Sequence, residues 1–291
     1  MLDFRYHALS LVAVFLALAI GIVLGVTIGN SLLTDAERSL RGNLRGQVVS
    51  ALNEAETART ERDGRDRMLD ALYPTLVRSR LNGERVAIVS WGPLPDSVAG
   101  GVRDAIRQGG GRLDSVSVFD RPLTELKTAL GDTAFGIDSA DDAGLKTMGR
   151  SLAQALIGSG QLALTLRQQA PDAFSGRFRR ADAIVFYEAP KPNDGSDEKG
   201  VKEREDNRSR TIEAAMLDEL AKRTIAVVGV EATSTDPSQV PRYKSLNLSS
   251  SDSVDKAGGR MALVFTLAGA QGNYGLKPSA QQPLPDEALT P

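Results

Sequence analysis

From Tyr6 to Thr34 no residue carries a fixed charge, and from Leu9 to Ile28 the chain is almost wholly Leu, Ile, Val, Ala, Phe and Gly. Twenty residues rising about 1.5 Å each match a hydrocarbon core of about 30 Å, so residues 1–30 read as a transmembrane helix. Two other structures share this composition, a buried helix of a soluble protein and a cleaved signal peptide. Signal h-regions span only about 7–15 residues and end in a small-residue cleavage site, and no Ala-x-Ala follows this segment.

Within the segment Ala13, Ala17, Gly21, Gly25 and Gly29 recur at every fourth position. They share one helix face with little side-chain bulk, which lets two backbones approach closely in lipid. Glycine is also simply common in membrane helices, and the pattern alone leaves both readings open. The flanks place Arg5 on one side and Arg38, Arg41 and Arg45 on the other. Counted alone they would retain the large domain in the cytoplasm, but Asp35 and Glu37 are interspersed and long domains translocate despite their charge.

Ser31 to Leu81 reads as a helical stalk, with Leu33, Leu40, Leu44, Val48, Ala51, Ala55, Ala58, Leu69 and Leu76 near three-and-four spacing. Fully helical, it would reach about 75 Å. The seam points to a coiled coil, although Arg62 and Arg65 fall in it and Gly42, Gly46 and Gly64 lower helix propensity. A solvated amphipathic helix lying on the domain is the alternative. Pro74 is expected to kink or end the helix.

Residues 82–276 change to short β-branched runs: Val86–Ser90, Leu113–Phe119, Ala183–Tyr187, Thr224–Val230 and Ser245–Leu248. Helical stretches alternate with them at Asp96–Gln108, Ala143–Ile157, Asn207–Lys222 and Val254–Ala268. The alternation predicts an α/β domain, Rossmann-like or flavodoxin-like, with a parallel sheet covered on both faces. From Lys191 to Arg210, six charges of each sign mark an exposed loop running into a helix. Residues 277–291, rich in Pro, Gln and Ser, read as a disordered tail.

Ligands of an open parallel sheet bind beyond the carboxyl ends of its strands. Those ends carry Trp91, Glu188, Glu231 and Asp252. The carboxylates could do acid/base work or hold a hard cation, with Trp91 as a lid; ordinary solvated loop ends are the competing reading. The first strand is followed by Ser90-Trp91-Gly92-Pro93, not by G-x-G-x-x-G, and no Walker sequence occurs, which argues against dinucleotide or ATP binding. Gly109-Gly110-Gly111 follows a helix, where glycine ends it.

Composition narrows the chemistry further. A net charge of -2 offers nucleic acid no long-range attraction. With no cysteine and a single histidine, His7 at the membrane edge, thiolate catalysis and a multi-histidine metal site are excluded and a Ser-His-Asp triad has no plausible base. The five methionines, Met1, Met68, Met148, Met216 and Met261, form no cluster and read as packing residues. No cofactor is evident and no catalytic residue is assigned.

The opening Phe4-Arg5-Tyr6-His7-Ala8-Leu9-Ser10-Leu11, continuing through Gly21-Ile22-Val23-Leu24-Gly25, resembles the start of the mycobacterial copper-transport outer-membrane channel family, an actinobacterial copper transporter group. The late Gly272-Asn273-Tyr274-Gly275 turn resembles the same family, as does the order of anchor, stalk and α/β domain. The resemblance implies copper export or homeostasis at the cell envelope, a soluble domain outside the cytoplasm, homo-oligomers, and an outer-membrane location. A non-catalytic scaffold that binds an envelope protein partner is the alternative function.

Overall fold

The structure, a computed structural model, describes residues 4–119, 141–158, 161–169, 174–176, 181–190, 199–223 and 225–288. It divides into two compact units, residues 1–65 and 66–291.

Helix α1 spans Phe4–Val77, and its residues up to Arg65 make up the first unit. Tyr6–Gly25 is long and apolar enough to cross a membrane, and none of it is buried. Further along, polar side chains turn back on their own helix. Thr57 and Thr60 hydroxyls donate to the carbonyls of Asn53 (2.9 Å) and Glu56 (3.0 Å), and Arg65 meets Glu61 at 3.3 Å. Such pairs contribute only about 0.2–0.5 kcal/mol each. The helix nevertheless continues through Gly42, Gly46 and Gly64.

The second unit is built on a seven-stranded sheet in the order β3-β2-β1-β4-β5-β6-β7. The strands are β1 (Arg85–Trp91), β2 (Arg112–Phe119), β3 (Phe174–Gly176), β4 (Ala183–Glu188), β5 (Ala226–Val230), β6 (Ser249–Ser251) and β7 (Asn273–Tyr274). All neighbours pair in parallel except β3, which runs antiparallel on the edge beside β2. Without that edge strand and β7, the order is that of the flavodoxin arrangement. The helices are α2 (Asp96–Gln108), α3 (Asp142–Ile157), α4 (Gln161–Gln169), α5 (Lys199–Lys222), α6 (Val240–Ser245) and α7 (Ala257–Leu267).

Successive strand residues point to opposite faces, and each face has its own core. Ala87, Val89, Ile184 and Phe186 pack with Met148, Leu152, Ile212 and Met216 of α3 and α5. Val86, Ile88, Val185 and Tyr187 pack with α2, α7 and the last turns of α1. Strands buried on both sides read as continuous apolar runs, which is why β1, β2, β4 and β5 are legible in the sequence. On the first face α3 and α5 cross closely. A Cβ on Gly149 would lie 2.4 Å from the Ile212 carbonyl oxygen.

Four local expectations are corrected. The helix from Ser31 ends at Val77 rather than Leu81 and continues one turn past Pro74. Its final turns belong to the second unit because Leu69, Tyr73 and Val77 supply one wall of a core. Asp66 and Asp70 there also pair with Lys256 (3.4 Å) and Arg260 (3.1 Å). The strand expected at Ser245–Leu248 is the end of α6 and a turn with Asn247 in the left-handed region. The true strand is the polar Ser249–Ser251. Its inward hydroxyls are satisfied by Asn273 Oδ1 and the Gly259 carbonyl, both at 2.8 Å.

Helix α5 begins at Lys199, eight residues before the expected Asn207. Residues 277–288, where composition points to disorder, are held in place. Gln281 N–H donates to Asn273 O at 2.8 Å, Gly275 N–H to Gln282 O at 3.2 Å, and Leu284 and Ala288 pack on the second core. A short 3₁₀ turn covers Asp286–Ala288. Two apolar anchors and a strand edge suffice here, and neither leaves a periodic pattern.

Gly275 has φ +144°, and a Cβ there would lie 2.2 Å from Asp252 Cγ. Gly275→Ala is expected to destabilise the head by about 2–4 kcal/mol, from strain and overpacking together. Gly83→Ala, at φ +85° but with open space around it, should cost only about 1 kcal/mol. Denaturant unfolding followed by the fluorescence of Trp91, the only tryptophan, measures both; equal losses would contradict the clash.

Candidate functional site

The chain reverses direction across the sheet between β1 and β4, since β2 lies on one side of β1 and β4 on the other. This is where flavodoxin-type sheets hold ligands. Trp91 and Glu188 are register partners there. The indole is buried rather than free to act as a lid. Its N–H donates to Ser209 Oγ at 2.9 Å and its ring lies 5.1 Å from that of Phe119, which in turn meets Phe174 edge-on at 5.2 Å.

Glu188 is 6% exposed and Glu213, from α5, 1%. Both carboxylates take the guanidinium of Arg242, through Nε to Glu188 at 3.3 Å and through Nη2 to Glu213 at 3.2 Å. Tyr243, the next residue of α6, accepts from the Glu188 backbone N–H at 3.1 Å and donates to the Val230 carbonyl at 2.9 Å. It thereby fills the gap in the ladder beside Gly229, where a Cβ would lie 2.4 Å from its ring. Burial pushes the Tyr243 hydroxyl well above the usual phenol range, and the nearby carboxylates add to the shift.

Glu231 and Asp252 are fully enclosed and brought together by one residue, Lys277. Its ammonium lies 2.8 Å from Glu231 Oε1 and donates to the Thr235 carbonyl at 2.7 Å. Its backbone N–H reaches Asp252 at 3.2 Å, beside the Leu276 N–H at 2.7 Å. Glu231 also accepts from Ser238 Oγ at 2.8 Å and from the Gln239 N–H. Of the four strand-end residues, Trp91 and Glu188 thus form one pair and Glu231 and Asp252 another. Each carboxylate has donors from its own chain, as buried charge requires.

Sequence reasoning missed the groove beside the first pair. It lies between α3 and α5, encloses about 670 Å³, and takes Arg242 as part of its wall. Among the described residues, Lys146, Arg150, Arg210, Lys222 and Arg242 line it with Asp142 and Asp218. Lys146 and Lys222 are matched one turn away by Asp142 (2.6 Å) and Asp218 (2.7 Å), and Arg150 donates to Thr147 Oγ1 at 3.0 Å. The available signal was the four-residue spacing of Asp142, Lys146 and Arg150 on α3, facing Thr211, Asp218 and Lys222 on α5.

Such a lining suits anionic groups. It offers copper nothing, since Cu(I) favours thiolate, thioether and imidazole ligands. Met148, Met216 and Met261 are core residues. Among the described residues no group of three or more His, Cys, Asp or Glu could hold a metal ion.

A family profile described as "Copper transport outer membrane protein, MctB" matches residues 1–285. The chain is 28% identical over 129 residues to the copper transporter MctB of Mycobacterium bovis, an alignment covering 44% of this chain and 41% of that protein. The same figures hold for copper transporter MctB of Mycobacterium tuberculosis. The alignment therefore spans less than half the length of these curated relatives.

Two outcomes are expected. Arg242→Ala removes the guanidinium that two buried carboxylates share, which should cost about 3–5 kcal/mol. Adding Glu213→Gln should recover part of that loss, and strict additivity in a double-mutant unfolding cycle would contradict the shared guanidinium. The second concerns pH. Tyr73, Tyr187 and Tyr243 are all raised, chiefly by burial, so the folded head favours the neutral phenols. Their contribution is complete below the unfolded value of about 10 and is lost as pH rises beyond it. Melting temperature should fall above about pH 10, and less steeply in Tyr243→Phe, which also loses about 1–3 kcal/mol at neutral pH by stranding Glu188 N–H and Val230 C=O.

Proposed function

Because the chain belongs to the family of the copper transport outer membrane protein, we propose that it is a membrane-anchored cell-envelope protein acting in copper export and homeostasis. The match over residues 1–285, with one apolar helix at Tyr6–Gly25, carries this reading. The helix is its anchor and the α/β head stands outside the cytoplasm.

The reading includes homo-oligomers formed through α1. An α-helix satisfies its own backbone but encloses no lumen alone, so any pore needs several copies. The face of Ala13, Ala17, Gly21, Gly25 and Gly29 offers close helix approach in lipid, and the following coiled-coil stalk would extend the pairing into water. No catalytic role is assigned to Trp91, Glu188, Glu231 or Asp252, whose bonds described above are those of structural groups.

A second reading is favoured by the groove between α3 and α5. Its cationic lining and lack of soft ligands fit a head that scaffolds an envelope protein partner rather than one that binds copper itself.

Deleting the gene is expected to raise cellular copper, and the full chain should restore it where a chain beginning after Thr34 does not. A normal copper level in the deleted strain contradicts the transport role. Calorimetry of the purified full-length oligomer with Cu(I) under reducing conditions separates the two readings. A Kd of about 1 μM or tighter, worth about 8 kcal/mol, supports direct copper handling, and no heat supports the scaffold.

A further inference from the structure

Between Leu40 and Arg65 helix α1 leaves a row of apolar side chains in water. Leu40, Leu44, Val48, Val49 and Leu52 are each more than half exposed. Scattered exposed apolar residues need no explanation, but a continuous row does. Leu44, Val48, Ala51, Ala55, Ala58, Arg62 and Arg65 follow one another at steps of four and three in strict alternation. The helix is unbroken through Gly42, Gly46 and Gly64, so nothing resets this phase. The result is a heptad seam in which Val48, Ala55 and Arg62 occupy a, and Leu44, Ala51, Ala58 and Arg65 occupy d.

We infer that this face pairs with the same face of a second copy of the chain, parallel and in register. The inference deepens the proposed membrane-anchored oligomer and rests on it. Charge on the flanks decides the orientation. The g positions are Leu40, Gln47, Glu54 and Glu61, and the e positions are Arg45, Leu52, Arg59 and Asp66. Parallel helices set g of one chain beside the following e of the other. Glu54 then meets Arg59 of the second copy, and by symmetry the pair occurs twice; Glu61 falls beside Asp66 of the second copy, a carboxylate that Lys256 of its own chain already meets at 3.4 Å. Antiparallel helices would instead set g against g and e against e, bringing like charges together.

The seam itself points the same way. β-Branched Val48 at a with Leu44 at d favours two strands, and the small Ala51, Ala55 and Ala58 bring two identical helices close together. Arg62 and Arg65 end the dry part of the seam. Within the chain Arg65 meets Glu61 at 3.3 Å and Arg62 meets Asp63 at 3.7 Å, so both cations are answered where the seam ends. Common insertion of Tyr6–Gly25 in one bilayer would impose the same parallel sense.

The chain contains no cysteine, which makes the test direct. Single replacements Ala51→Cys, Ala55→Cys and Ala58→Cys are introduced into the full-length chain in membranes, with the outward Asn53→Cys and Thr60→Cys as controls. Mild oxidation should link the seam variants at least about tenfold faster than the controls, since cysteines whose Cα atoms lie more than about 7 Å apart do not bridge. Glu54→Arg should slow linking at Ala51→Cys, and adding Arg59→Glu should restore it. Linking at Asn53 or Thr60 in place of the seam, in a protein whose mass is oligomeric, overturns the inference and leaves the oligomer standing. Linking at only one of Ala51 and Ala58 overturns the parallel register. A monomeric mass with no linking at any site overturns both.

Discussion

Lys277 joins the carboxylates at the ends of β5 and β6. Its ammonium neutralises the enclosed Glu231 and its backbone N–H completes the donors around the enclosed Asp252. A parallel sheet collects strand ends on one edge, and a charge buried there must find its partner inside the fold. The requirement shapes the stretch from β7 to residue 288. Gly275 is glycine because Asp252 occupies the space of a side chain, β7 pairs with β6 so that the turn reaches the carboxylate, and residues 277–288 return to cover the core. Arg242 serves the other end of the same edge, where it answers Glu188 and Glu213.

This arrangement leaves the head little chemistry of its own at the usual place for it. The switch point between β1 and β4 carries an indole hydrogen-bonded to Ser209 and a carboxylate held by arginine. What is open to solvent is the cationic groove between α3 and α5. Family membership brings copper transport into view, and assembly through α1 is the proposed means of achieving it. The heptad-spaced row and the row of small residues lie on one continuous helix.

The legible parts of the fold were those where burial writes itself into composition. α2 was readable to both ends because its apolar residues keep helical spacing, and β1, β2, β4 and β5 because both faces are covered. β6 was not, since three serines satisfied by hydrogen bonds look like a loop. β3 is three residues of antiparallel edge with only Phe174 buried, too short to leave a period. At the site the four strand-end residues were found by topology, but their roles were invisible. Lys277 and Arg242, which decide those roles, lie far along the chain from the carboxylates they serve. Groove residues on two helices likewise meet only after folding.

Glu231 and Asp252 either hold the head together or do work for another molecule. Unfolding free energies of Glu231→Gln and Asp252→Asn, measured beside the copper content of cells carrying each variant, decide between these. Both variants should unfold more easily by about 2–5 kcal/mol, as expected when a buried ionic contact is broken on one side, with copper rising only as far as folded protein is lost. Wild-type stability together with copper at the level of the deleted strain would contradict the account and make these carboxylates the functional site.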